Sequence, residues 1–156
     1  MQKEKIDSIF RENAFDFFYW FSRFEFCLKE AGIFKSDDVG RNAEPGWSKF
    51  VSKYENKFQP SKESERLMEL DPKCQKIGVN SSLEWESIHF DEVDSDLFKV
   101  VKLVRTIRNN LFHGGKHGDR GWDSPDRSKE LLTIGKIILD QLAQLANFEE
   151  NYKRLY

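Results

Sequence analysis

The sequence predicts an all-α fold, an up-and-down bundle of four to five helices forming a single domain over residues 1–156. Three observations carry that expectation. Apolar side chains recur at three- and four-residue steps in several long stretches. Proline and Ser-Pro signals, and every glycine but Gly135, fall between those stretches rather than inside them. No stretch shows a strong strand-pairing pattern. At 156 residues, with 14 phenylalanines among an aromatic fraction of 14%, the chain has enough ring surface to build a core without disulfides or metal.

The elements follow in order. Phe10, Ala14, Phe17, Phe18, Phe21, Phe24, Leu28 and Ala31 mark a long helix over 8–31, with Gly32 placed for a C-terminal cap. That helix is apolar around more than half its circumference, so contact is expected on two sides, within the bundle or across a subunit interface. Gly40, Asn42 and Pro45 break the chain into a loop. Trp47, Phe50, Val51, Tyr54 and Phe58 describe an amphipathic helix ending before Pro60, and a short helix is expected over 62–70, ahead of Pro72. Residues 71–93 lack a sustained helical period and are expected to be irregular, with one helical turn at most. Leu97, Val100, Val101, Val104, Ile107 and Leu111 form the stripe of the next helix, capped by Asp94 or Ser95 and ended by Gly114-Gly115. Ser124-Pro125-Asp126 is a strong start signal for the last helix, expected over 125–150.

Net charge is -2 and the pI is near 6.0, which argues against a nucleic-acid coat or a membrane-surface protein. The total hides an asymmetry. Glu84, Glu86, Asp91, Glu92, Asp94 and Asp96 crowd residues 81–96, whereas Lys99, Lys102, Arg105, Arg108, Lys116 and Arg120 follow against Asp119 alone. A basic stretch of that kind can receive a polyanion on an acidic protein. Cys27 and Cys74, with no cleavable leader pattern and no apolar run near the roughly 20 residues of a spanning helix, point to a reduced, cytoplasmic protein.

Arg105, Asn109 and His113 stand one turn apart on a common stripe, and Arg108 lies beside Asn109 toward the apolar edge. His113 falls at the helix end, where the dipole favours an imidazolium. The two glycines after it allow close approach of a substrate. This set suits phosphodiester transfer within RNA, in which the ribose 2′-hydroxyl is the nucleophile. A histidine moves the proton, and an arginine stabilises charge on the phosphoryl oxygens. Asn109 would orient His113 or the substrate, while Arg105, Lys116 and Arg120 would follow the phosphates. No metal or cofactor is needed.

The run Arg108-Asn109-Asn110-Leu111-Phe112-His113 resembles the motif of the HEPN superfamily, an arginine and a histidine separated by four to six residues, often with asparagine directly after the arginine. The segment from Arg23 to Gly32 is similar in style to the first long helix of several members. The resemblance implies a dimerising helical bundle with two motifs in one composite cleft. It also implies a metal-independent RNA endonuclease of toxin or phage-defence type, in which Arg108 and His113 are catalytic and Asn109 supports them. Some members hold the arginine with an acid from the first helix, for which Glu25 is the candidate, with Glu30 and Asp16 also available. Expected partners are RNA, a second copy of the chain, and an antitoxin or defence protein, with no membrane.

Other readings stand beside this one. The same fold with an unused site would be an RNA-, nucleotide- or protein-binding module, and a purely structural protein would use the aromatic first helix as its seam. Arg108 would then pair with an acid from 81–96 and His113 merely cap its helix. His113, His117 and Asp119 lack a fourth ligand for a metal. Gly114-Gly115-Lys116 follows a helix rather than a strand and lacks the Ser/Thr of a phosphate loop. Neither cysteine has a histidine neighbour. Trp47 reads as core, and Trp122 either packs or meets substrate.

Overall fold

A computed structural model describes residues 8–112 and 124–154. It is mostly helical: α1 (Ser8–Glu30), α2 (Trp47–Tyr54), α3 (Lys62–Leu70), α4 (Asp96–Phe112), α5 (Pro125–Leu145) and α6 (Glu149–Lys153), with a hairpin of β1 (Cys74–Ile77) and β2 (Leu83–Glu86). The expected helices therefore form, although three are long and three are short.

Their ends are set by local chemistry. At the end of α1, Gly32 adopts a φ of 70°, and its N–H donates to the Lys29 carbonyl while Ile33 N–H donates to that of Leu28. These two bonds satisfy carbonyls the helix leaves open, and they bury Ile33 against the core. Ser124 caps α5 by accepting from Arg127 N–H, with Pro125 at the first helical position, as the sequence predicts. Ser95 does the same for α4 through the Phe98 N–H.

The last helix is shorter than the expected 125–150. Asn147, at a φ of 56°, repeats the arrangement of Gly32: its N–H donates to Gln144 and that of Phe148 to Ala143. Asparagine tolerates the left-handed region better than most residues, so α5 stops and α6 sets off separately. The buried Arg23 of α1 then grips this terminus, donating to the backbone carbonyls of Asn151, Tyr152 and Arg154.

The second correction concerns residues 71–93. Cys74 pairs with Glu86, Gln75 with Trp85, Lys76 with Glu84 and Ile77 with Leu83 in an antiparallel hairpin. The turn runs through a 3₁₀ segment, with Asn80 and Ser81 at φ of 56° and 59°. A two-stranded ribbon is marginal alone, and here polar ties anchor its base. Asn110 of α4 donates to the Lys73 carbonyl at 2.8 Å. Lys73 ammonium binds Asp71 and Ser87, and Ser87 donates to Asp71 at 2.7 Å.

The core lies where α1, α4 and α5 meet, closed by α2 and α3. At the α1–α5 crossing Gly135 admits the Phe17 ring: a Cβ there would stand 2.7 Å from Phe17 Cε2. Phe24 is fully buried, with its ring centroid 5.0 Å from Trp47, 5.3 Å from Phe50 and 5.9 Å from Phe148. Phe24→Ala empties the point where α1, α2 and the end of α5 meet. It is expected to cost about 3–5 kcal/mol, read as a lower urea midpoint.

Candidate functional site

Three neighbourhoods along α4 carry the polar side chains of interest. The first is its last turn. Arg108 is half-buried, its guanidinium 5.0 Å from the Phe112 ring centroid and 5.8 Å from that of Phe21. Its Nη1 donates to Asn109 Oδ1 at 3.1 Å. Among the described residues it forms no ion pair, neither with an acid of 81–96 nor with Glu25. Aromatic faces hold the charge without neutralising it, because a ring quadrupole attracts a cation and leaves its N–H donors open to an anion.

The second neighbourhood is one turn earlier. Glu25 of α1 accepts from the Trp47 indole N–H at 2.9 Å. The Arg105 guanidinium stands 5.9 Å from the Trp47 ring centroid. The residue as a whole is exposed, yet protein around its charged end lowers its proton affinity. The like charge of Arg108 adds to that effect, and Glu25 opposes it. The acid expected to hold an arginine is thus present, but it acts on Arg105 and on Trp47 rather than on Arg108.

The third is a groove of about 600 Å³ between α4 and the hairpin. Lys102, Thr106 and Asn109 form one wall, and Cys74, Lys76 and Glu86 stand on the other. Sequence reading for helices missed it. The signal was there in the odd-numbered run Ile77, Val79, Leu83 and Trp85, a period of two, around Gly78 and Asn80 as turn residues.

The structure therefore places Arg105, Arg108 and Asn109 along the second half of α4, with Glu25 of α1 beside Arg105. His113, Lys116 and Arg120 lie outside the described residues, as do His117, Asp119 and Trp122. Among the described residues no three His, Cys, Asp or Glu side chains cluster as metal ligands, and no helix is long and apolar enough to cross a membrane. Burial pushes the Cys27 thiol up, against the demands on a thiolate nucleophile. No family model, curated protein or solved structure matches the chain.

Two outcomes follow from this geometry. Trp47→Phe keeps one aromatic ring but loses buried volume and the donor to Glu25, and is expected to cost about 2–3 kcal/mol in urea denaturation; Glu25→Gln, whose amide oxygen still accepts, should cost less. The hairpin should loosen in acid. Partial burial pushes the Asp71 carboxyl up, but hydrogen bonds from Lys73 and Ser87, with the charges of Lys73 and Arg127, outweigh it and hold the group below its ordinary value. A depressed carboxyl contributes stability above its unfolded pKa of about 3.9, and the contribution is lost as pH falls through the folded value. Protection factors of the 74–77 amides, taken relative to the intrinsic exchange rate at each pH, should fall over that window, and Asp71→Asn should remove that fall.

Proposed function

We propose that the chain is a metal-independent endoribonuclease of the HEPN type, acting at the end of α4. The observation that carries the reading is Arg108: a guanidinium held by Phe21 and Phe112, bonded to Asn109, and unpaired with any carboxylate among the described residues. A cation fixed by rings and an amide is suited to receive a phosphate. His113, next in sequence to Phe112, supplies the proton transfer.

The chemistry balances without an added nucleophile. The 2′-hydroxyl oxygen attacks the adjacent phosphorus and loses its proton to a base. The bond to the 5′-oxygen of the following nucleotide breaks, and that oxygen takes a proton. The products are a 2′,3′-cyclic phosphate and a 5′-hydroxyl. Arg108 stabilises charge on the non-bridging oxygens, Asn109 holds Arg108, and Arg105 attracts the neighbouring phosphate.

A second copy of the chain would complete the cleft. Phe15 is 65% exposed and Phe112 is 48% exposed, with the exposed Phe18 ring 4.8 Å from that of Phe112. An apolar patch touching the motif's own residues is the kind of surface a subunit covers. An antitoxin or defence protein would meet the same surface if the activity is restrained.

Mixed RNA incubated with the protein in EDTA is expected to yield 2′,3′-cyclic phosphate ends, from a species sedimenting as two chains. His113→Ala and Arg108→Ala should each slow cleavage by about 100-fold or more. A His113→Ala protein that cuts as fast as its parent removes the reading.

A further inference from the structure

The hairpin faces the opposite way from a ribbon packed on a core. Alternation puts Cys74, Lys76, Glu84 and Glu86 on one face and Gln75, Ile77, Leu83 and Trp85 on the other. A half-buried ribbon ordinarily turns its apolar face inward. Here Ile77 and Leu83 are 84% and 67% exposed and Trp85 is half-buried, whereas Cys74, Lys76 and Glu86, with Gln75 at its edge, line the groove toward α4. The ties of Asn110 to Lys73, and of Asp71 to Lys73 and Ser87, hold the base of the ribbon in that orientation.

A polar face turned toward the body of the protein makes a groove suited to a polar occupant. The groove volume, about 600 Å³, falls within the roughly 300–1,000 Å³ of small-ligand sites. Its lining places one ammonium on each wall, Lys76 on the hairpin and Lys102 on α4, against the single carboxylate of Glu86. Neither lysine has an ion-pair partner among the described residues. Asn109 contributes an amide whose oxygen is bonded to Arg108 and whose N–H donors meet no protein acceptor among the described residues. The groove thus begins at the residue where the Arg108 neighbourhood ends.

We propose that this groove is a nucleotide-binding site, in which Lys76 and Lys102 take the phosphates flanking one nucleotide and Asn109 meets its sugar or base. On the reading of the Arg108 site given above, on which this inference rests for its choice of RNA, the occupant is the nucleotide adjoining the scissile one. The same chemistry would hold a free nucleotide.

The test is binding, measured without cleavage. The full-length His113→Ala protein is titrated with a labelled single-stranded RNA octamer by anisotropy and with adenosine monophosphate by calorimetry. The same titrations are then run with Lys76→Ala and Lys102→Ala added. Both lysines are exposed, so the fold should persist, which the thermal midpoint checks. RNA affinity is expected to fall tenfold or more, with the slope of log K against log salt reduced by about 1.4, about 0.7 for each lost contact on a single strand. A lysine-dependent loss confined to adenosine monophosphate also supports the site and identifies the free nucleotide as its occupant. Unchanged affinity for both ligands overturns it. The octamer is checked on a gel to be intact after each titration, so failure of the cleavage mechanism and failure of this site give separate results.

Discussion

Four aromatic rings decide how the rest of the molecule is arranged. Phe24 of α1 lies between Trp47 and Phe50 of α2 and Phe148 beyond α5, so one side chain fixes three elements against each other. Ring contacts of this kind add directional preference to area burial, which is why a helix as short as α2 keeps a defined place. Trp47 then serves two environments. Its ring belongs to the core, while its N–H reaches Glu25 and its face lies near Arg105. The electrostatics of the candidate site are therefore suspended from the hydrophobic core, and a change in core packing at Phe24 would be transmitted to Arg105 through one indole.

Arg108 illustrates a different use of rings. A bidentate carboxylate would hold the guanidinium more tightly than Phe21 and Phe112 do, but it would also occupy the donors and cancel the charge. Cation–π contacts of about 0.5–1 kcal/mol at exposed sites position the group at small electrostatic cost. The resulting cation is oriented and still able to bind. The adjoining groove follows the same logic, with two lysines that have no ion-pair partner among the described residues on walls that a small polar network keeps in place.

Much of the helical framework was legible in the residues themselves. Gly32 and Ser124-Pro125 announced helix ends because their backbone chemistry is local. Asn147 did not, since asparagine is common within helices too, and its left-handed conformation becomes decisive only once Phe148 has a core to enter. The hairpin was harder to read for a related reason: its alternation is present, but Ile77 and Leu83 face outward, so it does not mark a buried face. At the site, adjacency in sequence was enough to join Arg108 to Asn109. The partner of Glu25 was not legible, because it depends on α2 docking between α1 and α4, a consequence of aromatic packing that no spacing rule encodes.

Arg23 carries a consequence for how this sequence can vary. The three acceptors it holds at the chain's end are main-chain carbonyls, those of Asn151, Tyr152 and Arg154. Such acceptors survive any change of side chain at those positions. The grip is therefore indifferent to the lettering of residues 151 and 154 but intolerant of change at position 23, where a lysine could not reproduce a planar fork of donors. One arginine in the first helix thereby fixes the path of residues 151 and 154 without constraining their identity, while Tyr152 between them is held by its own buried ring.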